Sequence, residues 1–581
     1  MNLKKSIRII LILFAGLVNT NAKNKENKTF CNPLDLAYRF QFEGSYREAA
    51  DPVIVTFKDQ YWLFASKSGG YWFSDHLADW TFVGTTDLPT EIYAPAIIAM
   101  NDSLYYLAGK DVFVTAHPES GKWNYRASIN HDVTDPALFL EDNGHLYLFH
   151  GCRENKPLLG VELDKNSFRF NGNEKEIISP DLYHRGWEVA GDTNEGKEPG
   201  KTNTSNFLPW VEGSWINKFN GRYYWQYAAP GTQFRSYADG VFVSDSVLTG
   251  YRYADYSPFS YKPAGFVTGT GHSCTFQDKR NELWHVTSAA ISVRHMFERR
   301  LALFPTAILP DGQLITNTYL GDYPQLIQKR NKKPLDTFAG WMLLSYRKPT
   351  KVSSIQISNK NLFTPEKALD EDMTTWWSAA SGEEGEWLEV DLQKQCKIYS
   401  IQVNFADENA KAHGRLKNDG YGYKIEISKD GIKWVGVYDN TSLIKDQPHH
   451  YFELAKVQTA RYVRITNNHA PAESNFSVSG FRIFGKTHGN KPETIQTVFA
   501  ERNKTDKRSA VISWKPSAKA DFYIVRYGIA PDKLYSSYPV YSAKDIRINS
   551  LNSSTKYYFT VDAVNECGIT KGDKVIELNN E

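Results

Sequence analysis

Residues Trp210 to Gly231 read WVEGSWINKFNGRYYWQYAAPG, and this stretch holds the plan of the first half of the chain. A carboxylic acid, Glu212, heads it. Ser214 to Phe219 reads as a strand, Asn220-Gly221 is a hairpin dipeptide suited to positive φ, and Arg222 to Tyr227 is an aromatic return strand. The unit recurs on both sides. Asp51 heads DPVIVTF, with turn KDQ and return YWLFAS; Ala94 heads APAIIAM, with NDS and LYYLAG; Asp135 heads DPALFL, with EDNG and HLYLFHG; His272 heads HSCTF, with QDKRN and ELWHVTS. A strand-turn-strand unit cannot bury both of its faces alone, so five copies pack around an axis. The expectation is an all-β chain opening with a five-bladed β-propeller, the first strand of each blade nearest the axis. Asp51, Tyr93 or Ala94, Asp135, Glu212 and His272 would then stand at equivalent heights in a ring. Asp-Pro and Glu-Gly also open ordinary surface turns. Acids filling the slot in three of the five copies favour a ring of function, with three carboxylates and a histidine facing one cavity.

The chain of 581 residues is too long for one core and predicts three or four units. Hydrophobic residues at 41% and charged residues at 23% describe a globular protein without long disorder. Aromatic residues, 14% with 34 Tyr and 15 Trp, suit strands and also the stacking of sugar rings. Lys4, Lys5 and Arg8 precede the apolar run Ile9 to Val18 and the small residues up to Ala22, the pattern of a secretory signal peptide over residues 1–22. A secreted or periplasmic protein is expected, with no membrane span in the mature chain. Cleavage removes three cations and turns the formal charge of +2 slightly negative, which does not suit nucleic acid. Five scattered cysteines with no CxxC pair imply neither a disulfide framework nor a zinc site.

The motifs Asn32-Pro33, Ala50-Asp51-Pro52, Tyr93-Ala94-Pro95, Asp135-Pro136, Glu212-Gly213 and Gly269-Thr270-Gly271-His272-Ser273 together resemble glycoside hydrolase family 43 across residues 31–323. The resemblance implies an inverting glycosidase on a five-bladed propeller, with Asp51 as general base, Glu212 as general acid and Asp135 as a third acid that orients the site and raises the pKa of the acid. Inverting hydrolysis needs such a set. One carboxylate activates water on one face of the sugar and a protonated carboxyl serves the leaving oxygen on the other, about 6.5–9.5 Å away. His272 reads either as a hydrogen-bonded core residue or, by resemblance, as a substrate contact or partner of a water-rich calcium ion near the axis. Glu188, in the insertion between Cys152 and Trp210, is the rival acid and a candidate substrate contact. Trp72, Tyr93 and Trp187 are candidates for stacking on a sugar, with the core as the alternative. Arg299 is a candidate partner of a sugar hydroxyl, with a surface salt bridge as the alternative.

Residues 324–339 are polar and basic, and read as an inter-domain connection. Residues 340–487, with GEWLEVDL, YSIQVNFA, YKIEISKDGIKW and ARYVRIT, alternate as a β-sandwich and resemble discoidin, or coagulation factor type C, domains. By that resemblance the unit is a carbohydrate-binding module, which would raise local substrate concentration by tethering. Asp370, Asp372 and Thr375 stand where that fold often holds calcium, although Glu371 replaces the usual glycine. Residues 490–581, with Trp514 and Tyr557 in VISW and LNSSTKYYFTV, resemble a fibronectin type III domain. The function expected from all this is exo-acting release of a terminal pentose or furanose, α-L-arabinofuranose foremost, from plant polysaccharide or oligosaccharide. A β-xylosidase or galactofuranosidase on the same scaffold and a non-catalytic glycan-binding protein are the alternatives.

Overall fold

The computed structural model describes residues 28–154, 156–196, 210–328, 335–359, 361–541 and 543–578. The expected signal peptide and much of the expected surface loop around residues 191–205 lie outside them. Among the described residues the first domain consists of five antiparallel sheets of four or five strands, with short turns between strands that follow one another in sequence. Each sheet has an inner strand: β1 (Ala50–Phe57), β2 (Ala96–Met100), β3 (Ala137–Leu140), β4 (Trp210–Phe219) and β5 (Gly271–Gln277). β1 packs on β2, β2 on β3, β3 on β4, β4 on β5, and β5 again on β1. That closed ring of inner strands is a β-propeller, and closure removes the exposed edges that an open sheet would leave.

The N-terminal segment ties the ring shut. The Asn32 side chain donates to the carbonyls of Leu303 and Gly321 and accepts from the Leu303 amide, so it serves as a side-chain bridge to β6 (Arg299–Ile308) in the last sheet. Thr29–Phe30 pairs with Gln325–Leu326. The expected connection over residues 324–339 is thus anchored at both ends, since Thr337 also donates to Gln325. The aromatic richness goes mainly into the seams between sheets: Trp62, Trp72, Trp225 and Trp284 are all fully buried.

The second domain is built on three long strands, β7 (Trp387–Phe405), β8 (His449–His469) and β9 (Ser477–Lys486), with β7 paired to both others. Register shifts after Asp391 and Ile398 bend β7, so one strand serves both faces of a discoidin-like sandwich. The third unit sets Val498–Arg502, Ala510–Trp514 and Asp545–Ile548 against a sheet containing Phe522–Gly528 and Tyr557–Asn565.

The three units are fixed to one another. Arg47 of the propeller reaches Asp407 at 2.9 Å and Asp446 at 2.7 Å in the second domain, and Arg482 returns to the Asp322 carbonyl while pairing with Glu371 at 2.8 Å. Both arginines are buried. The insertion before β4 is held between the fourth sheet and the third unit: Gly186 donates to Leu551 O, and Arg508 donates to Leu182 O.

Candidate active site

Each inner strand opens on a residue forced into the left-handed region. Asp51 (φ 52°), Ala94 (55°), Asp135 (48°), Gly213 (65°) and His272 (52°) share this kink, and register shifts follow it in three of the sheets. The equivalent of Asp51 and His272 in the fourth sheet is therefore Gly213, not Glu212. Glu212 pairs with Ala228 as Ala50 pairs with Ser66 and Gly271 with Ser288, one step earlier in register. The expectation of equal heights is corrected here. A Cβ on Gly213 would lie 2.9 Å from His272 Cγ, so the close approach of these two kinks requires glycine.

His272 ties the acids together. Its Nδ1 lies 3.3 Å from Asp51 Oδ1 and 3.6 Å from Asp135 Oδ2, and its backbone N–H donates to Asp239 Oδ1 at 3.1 Å. Burial opposes charge on the imidazole, but Asp51, Asp135 and Glu212 outweigh it and raise its pKa above the ordinary value.

Asp51 is held by a set of donors. Ser66 Oγ donates to its Oδ2 at 2.6 Å and Arg299 Nη1 to its Oδ1 at 3.0 Å, while its backbone N–H donates to Ser288 Oγ at 2.8 Å. Burial pushes the carboxyl up, yet Arg299, His272 and Ser66 together hold it below the ordinary carboxylate range. Asp51 is thus kept ionised.

Glu212 has different partners. The Tyr237 hydroxyl donates to Oε1, and the Cys152 thiol donates to Oε2 at 3.1 Å. Ligand atoms of Asp135, Cys152 and Glu212 all lie within 4.8 Å of one another. Burial, then the anions Glu212 and Asp51, push the Asp135 carboxyl up to about 7 against the pull of His272. Burial and the neighbouring Glu212 and Asp135 push the Cys152 thiol up, so it stays protonated. The pocket thus holds Asp51 and Glu212 by non-overlapping sets of partners, with Asp135, its carboxyl pushed up to about 7, beside Glu212.

Other expected residues fall elsewhere. Trp72 is packed in the core of the first sheet, paired with Leu63 and Phe82. Trp187 is fully buried against Gly240 and Tyr227 and donates its indole N–H to Tyr253. Glu188 is fully buried too, accepting from Asp181 N, Arg185 and the Tyr227 hydroxyl. These partners saturate its carboxylate as a structural anchor, so it is neither the acid nor a substrate contact. Arg299 spends its fork on Glu48 at 2.7 Å, Asp51 and Thr232, leaving it to orient the base rather than a sugar hydroxyl. Tyr93 stays at the pocket, half-buried, its ring 5.4 Å from the Arg299 guanidinium. Two groups escaped sequence reasoning, Tyr237 and Cys152; the half-exposed Trp210 adds a third, its indole N–H lying 3.1 Å from Cys152 Sγ.

The donors of the expected calcium sites are turned to partners within the protein. His272 Nδ1 faces the Asp51 and Asp135 carboxylates. In the second domain Asp372 pairs with the Arg235 guanidinium at 3.1 Å, and Asp370 accepts the Thr375 hydroxyl at 2.6 Å and the Asp372 amide. Glu371, where the fold's glycine is expected, is turned away to Arg482. A guanidinium and local turn bonds occupy the donors that a hard cation would need.

Comparison with known families matches residues 46–314 to Glycosyl hydrolases family 43 and residues 349–479 to the F5/8 type C domain. No curated protein matches the chain. Among solved structures, one described as a glycoside hydrolase is 18% identical, with 75% of this chain and 97% of that chain covered and a TM-score of 0.45. An exo-1,5-alpha-L-arabinanase from a bovine ruminal metagenomic library is 19% identical over 48% of this chain and 99% of its own, with a TM-score of 0.35. An alpha-L-arabinofuranosidase from Clostridium thermocellum is 17% identical over 46% and 93%, with a TM-score of 0.33. The chain carries a family 43 domain that contains every residue of the acid pocket, and a discoidin-like domain follows it.

Proposed function

We propose that this glycosidase is a secreted, inverting, exo-acting enzyme that releases a terminal pentose or furanose, α-L-arabinofuranose foremost, from plant polysaccharide or oligosaccharide. The observation that carries this reading is the division of labour in the pocket: Asp51 is kept anionic by Arg299 and His272, while Glu212 is held apart by Tyr237 and Cys152 with the Asp135 carboxyl close by. Asp51 takes a proton from a water as its oxygen attacks the anomeric carbon. The glycosidic C–O bond breaks, and the leaving oxygen receives through Glu212 the one proton that the close Asp135 and Glu212 pair shares. Water approaches on one face and the acid acts on the other, so the anomeric configuration inverts. One proton shared between Asp135 and Glu212 limits the charge that the pocket must bear.

The N-terminal basic and apolar run supports secretion, and no described helix is long and apolar enough to cross a membrane. We read the last unit as a fibronectin type III domain serving as a spacer. Trp514 in its core and the Asn552 amide bound to the Tyr557 hydroxyl at 3.0 Å support that.

The test is a screen of aryl pentosides with product anomers followed by NMR. Asp51→Asn and Glu212→Gln are each expected to cost about 10²–10⁴ in kcat. Activity that survives both substitutions, or a product that keeps its configuration, overturns the assignment.

A further inference from the structure

The wall of the acid pocket continues toward the second domain. One residue beyond Thr232, which accepts from Arg299, and two beyond Ser288, which binds the Asp51 amide, lies a cleft of about 540 Å³. Gln233 and Arg235 form one side and Ser292 and His295 another, while Thr374 closes it from the second domain. Residues 291–298 join the strand of Ser288 to that of Arg299, so the loop that lines the cleft is continuous with the two strands whose side chains hold Asp51.

Both catalytic-domain segments are fastened to the second domain. Arg235 donates to Asp372 at 3.1 Å and to Thr374 Oγ1 at 2.8 Å. Arg294 donates to Ala406 O at 2.5 Å and lays its guanidinium 5.0 Å from the Trp376 ring centroid. The volume lies within the range of about 300–1,000 Å³ typical of small-ligand sites. Its lining sets the Asp192 carboxylate and amide, hydroxyl, imidazole and guanidinium groups beside the apolar Phe234, Ile291, Val293 and Met296, and polar groups of both kinds next to apolar surface are the chemistry that recognises a polyhydroxylated sugar ring.

We propose that this cleft binds the sugar units of the glycan beyond the one cleaved, so that the discoidin-like domain is a wall of the substrate site and not a detached tether. The proposal rests on the hydrolytic reading of the acid pocket. Its effect is on the length of glycan accepted: a single sugar fills the acid pocket alone, and a longer chain engages both domains.

The test is calorimetric binding of arabinotetraose and xylotetraose, against arabinose and xylose, to the full chain carrying Glu212→Gln. Gln233→Trp, which fills the cleft, and Thr374→Ala, which strips its far wall, are added singly. Tetraose affinity is expected to drop about tenfold or more in Gln233→Trp and less in Thr374→Ala, with monosaccharide affinity within about twofold, which also shows that the variants are folded. Tetraose binding that is unchanged in both variants, no tighter than monosaccharide binding, or absent for both sugars overturns the proposal. So does an equal loss for tetraose and monosaccharide in both variants. Wild-type protein that binds tetraose through the cleft but turns over no glycan overturns the hydrolytic reading alone.

Discussion

At the scale of single residues, the proton on Asp135 governs the pH behaviour. Its pKa is raised from 3.8 to about 7, so the folded protein keeps a proton that the unfolded chain has lost. The resulting penalty is absent in acid, grows as pH rises through the window between those values, and is complete above it. Asp135→Asn removes the penalty. Its stability relative to the wild type should therefore rise between about pH 4 and pH 7 and level off beyond, as read by urea denaturation across that range. Cys152 acts on the neighbouring acid, because its thiol donates to Glu212 Oε2 at 3.1 Å and a donor to a carboxylate favours the ionised form. Cys152→Ala should move the alkaline limb of the kcat/KM profile to higher pH, and Cys152→Ser should bring it back. A loss of rate equal at every pH would reduce Cys152 to packing. The four candidate residues Asp51, Asp135, Glu212 and His272 stand out in the sequence because they head repeats. Tyr237 heads none and lies 25 residues past Glu212, so nothing in its neighbourhood announces the bond it makes. Cys152 was within reach of the repeat argument, since it follows the return strand Leu146–His150 at the rim where the site opens.

At the scale of elements, the kink that opens each inner strand determines where the acids go. Asp51, Asp135 and His272 sit on the kink and Glu212 sits just before it. That one-residue offset gives the acid a different set of partners from the base, although both come from the same kind of unit. Sequence repeats align the heads only to within a residue, and a period-two strand changes face with a slip of one. Gly213→Ala tests the element. It should cost about 1–2 kcal/mol for the left-handed backbone alone, and more for the contact with His272. The activity loss should exceed that of an Ala substitution in an exposed turn of equal stability cost, with denaturation and kcat measured together.

At the scale of the whole molecule, the second domain is locked to the propeller by charges that water cannot reach. Burial lowers the pKa of Arg47, but Asp407 and Asp446 outweigh it and hold the guanidinium fully charged. Arg47→Met would leave two buried carboxylates without their cation. The expected cost is about 3–5 kcal/mol. Calorimetry should show the unfolding of wild-type protein splitting into separable transitions in the variant, because the two domains would lose their shared step. A single transition shifted by less than a degree would mean that the pair contributes little to the coupling.

The amino-acid order by itself determined that the chain is all-β, that its first half repeats a strand-turn-strand unit, and which acids head those units. Alternation, hairpin dipeptides and repeated motifs are local properties, and local properties can be read along a line. Tertiary structure decided which aromatics are core, as with Trp72 and Trp187, and that Glu188 is an anchor and Arg299 the partner of the base. It also decided that Thr374 of the second domain lines one cleft with residues 233–235 and 290–296 of the propeller. These depend on what lies opposite a side chain after hundreds of intervening residues have folded, and burial and charge compensation exist only once that neighbour is in place.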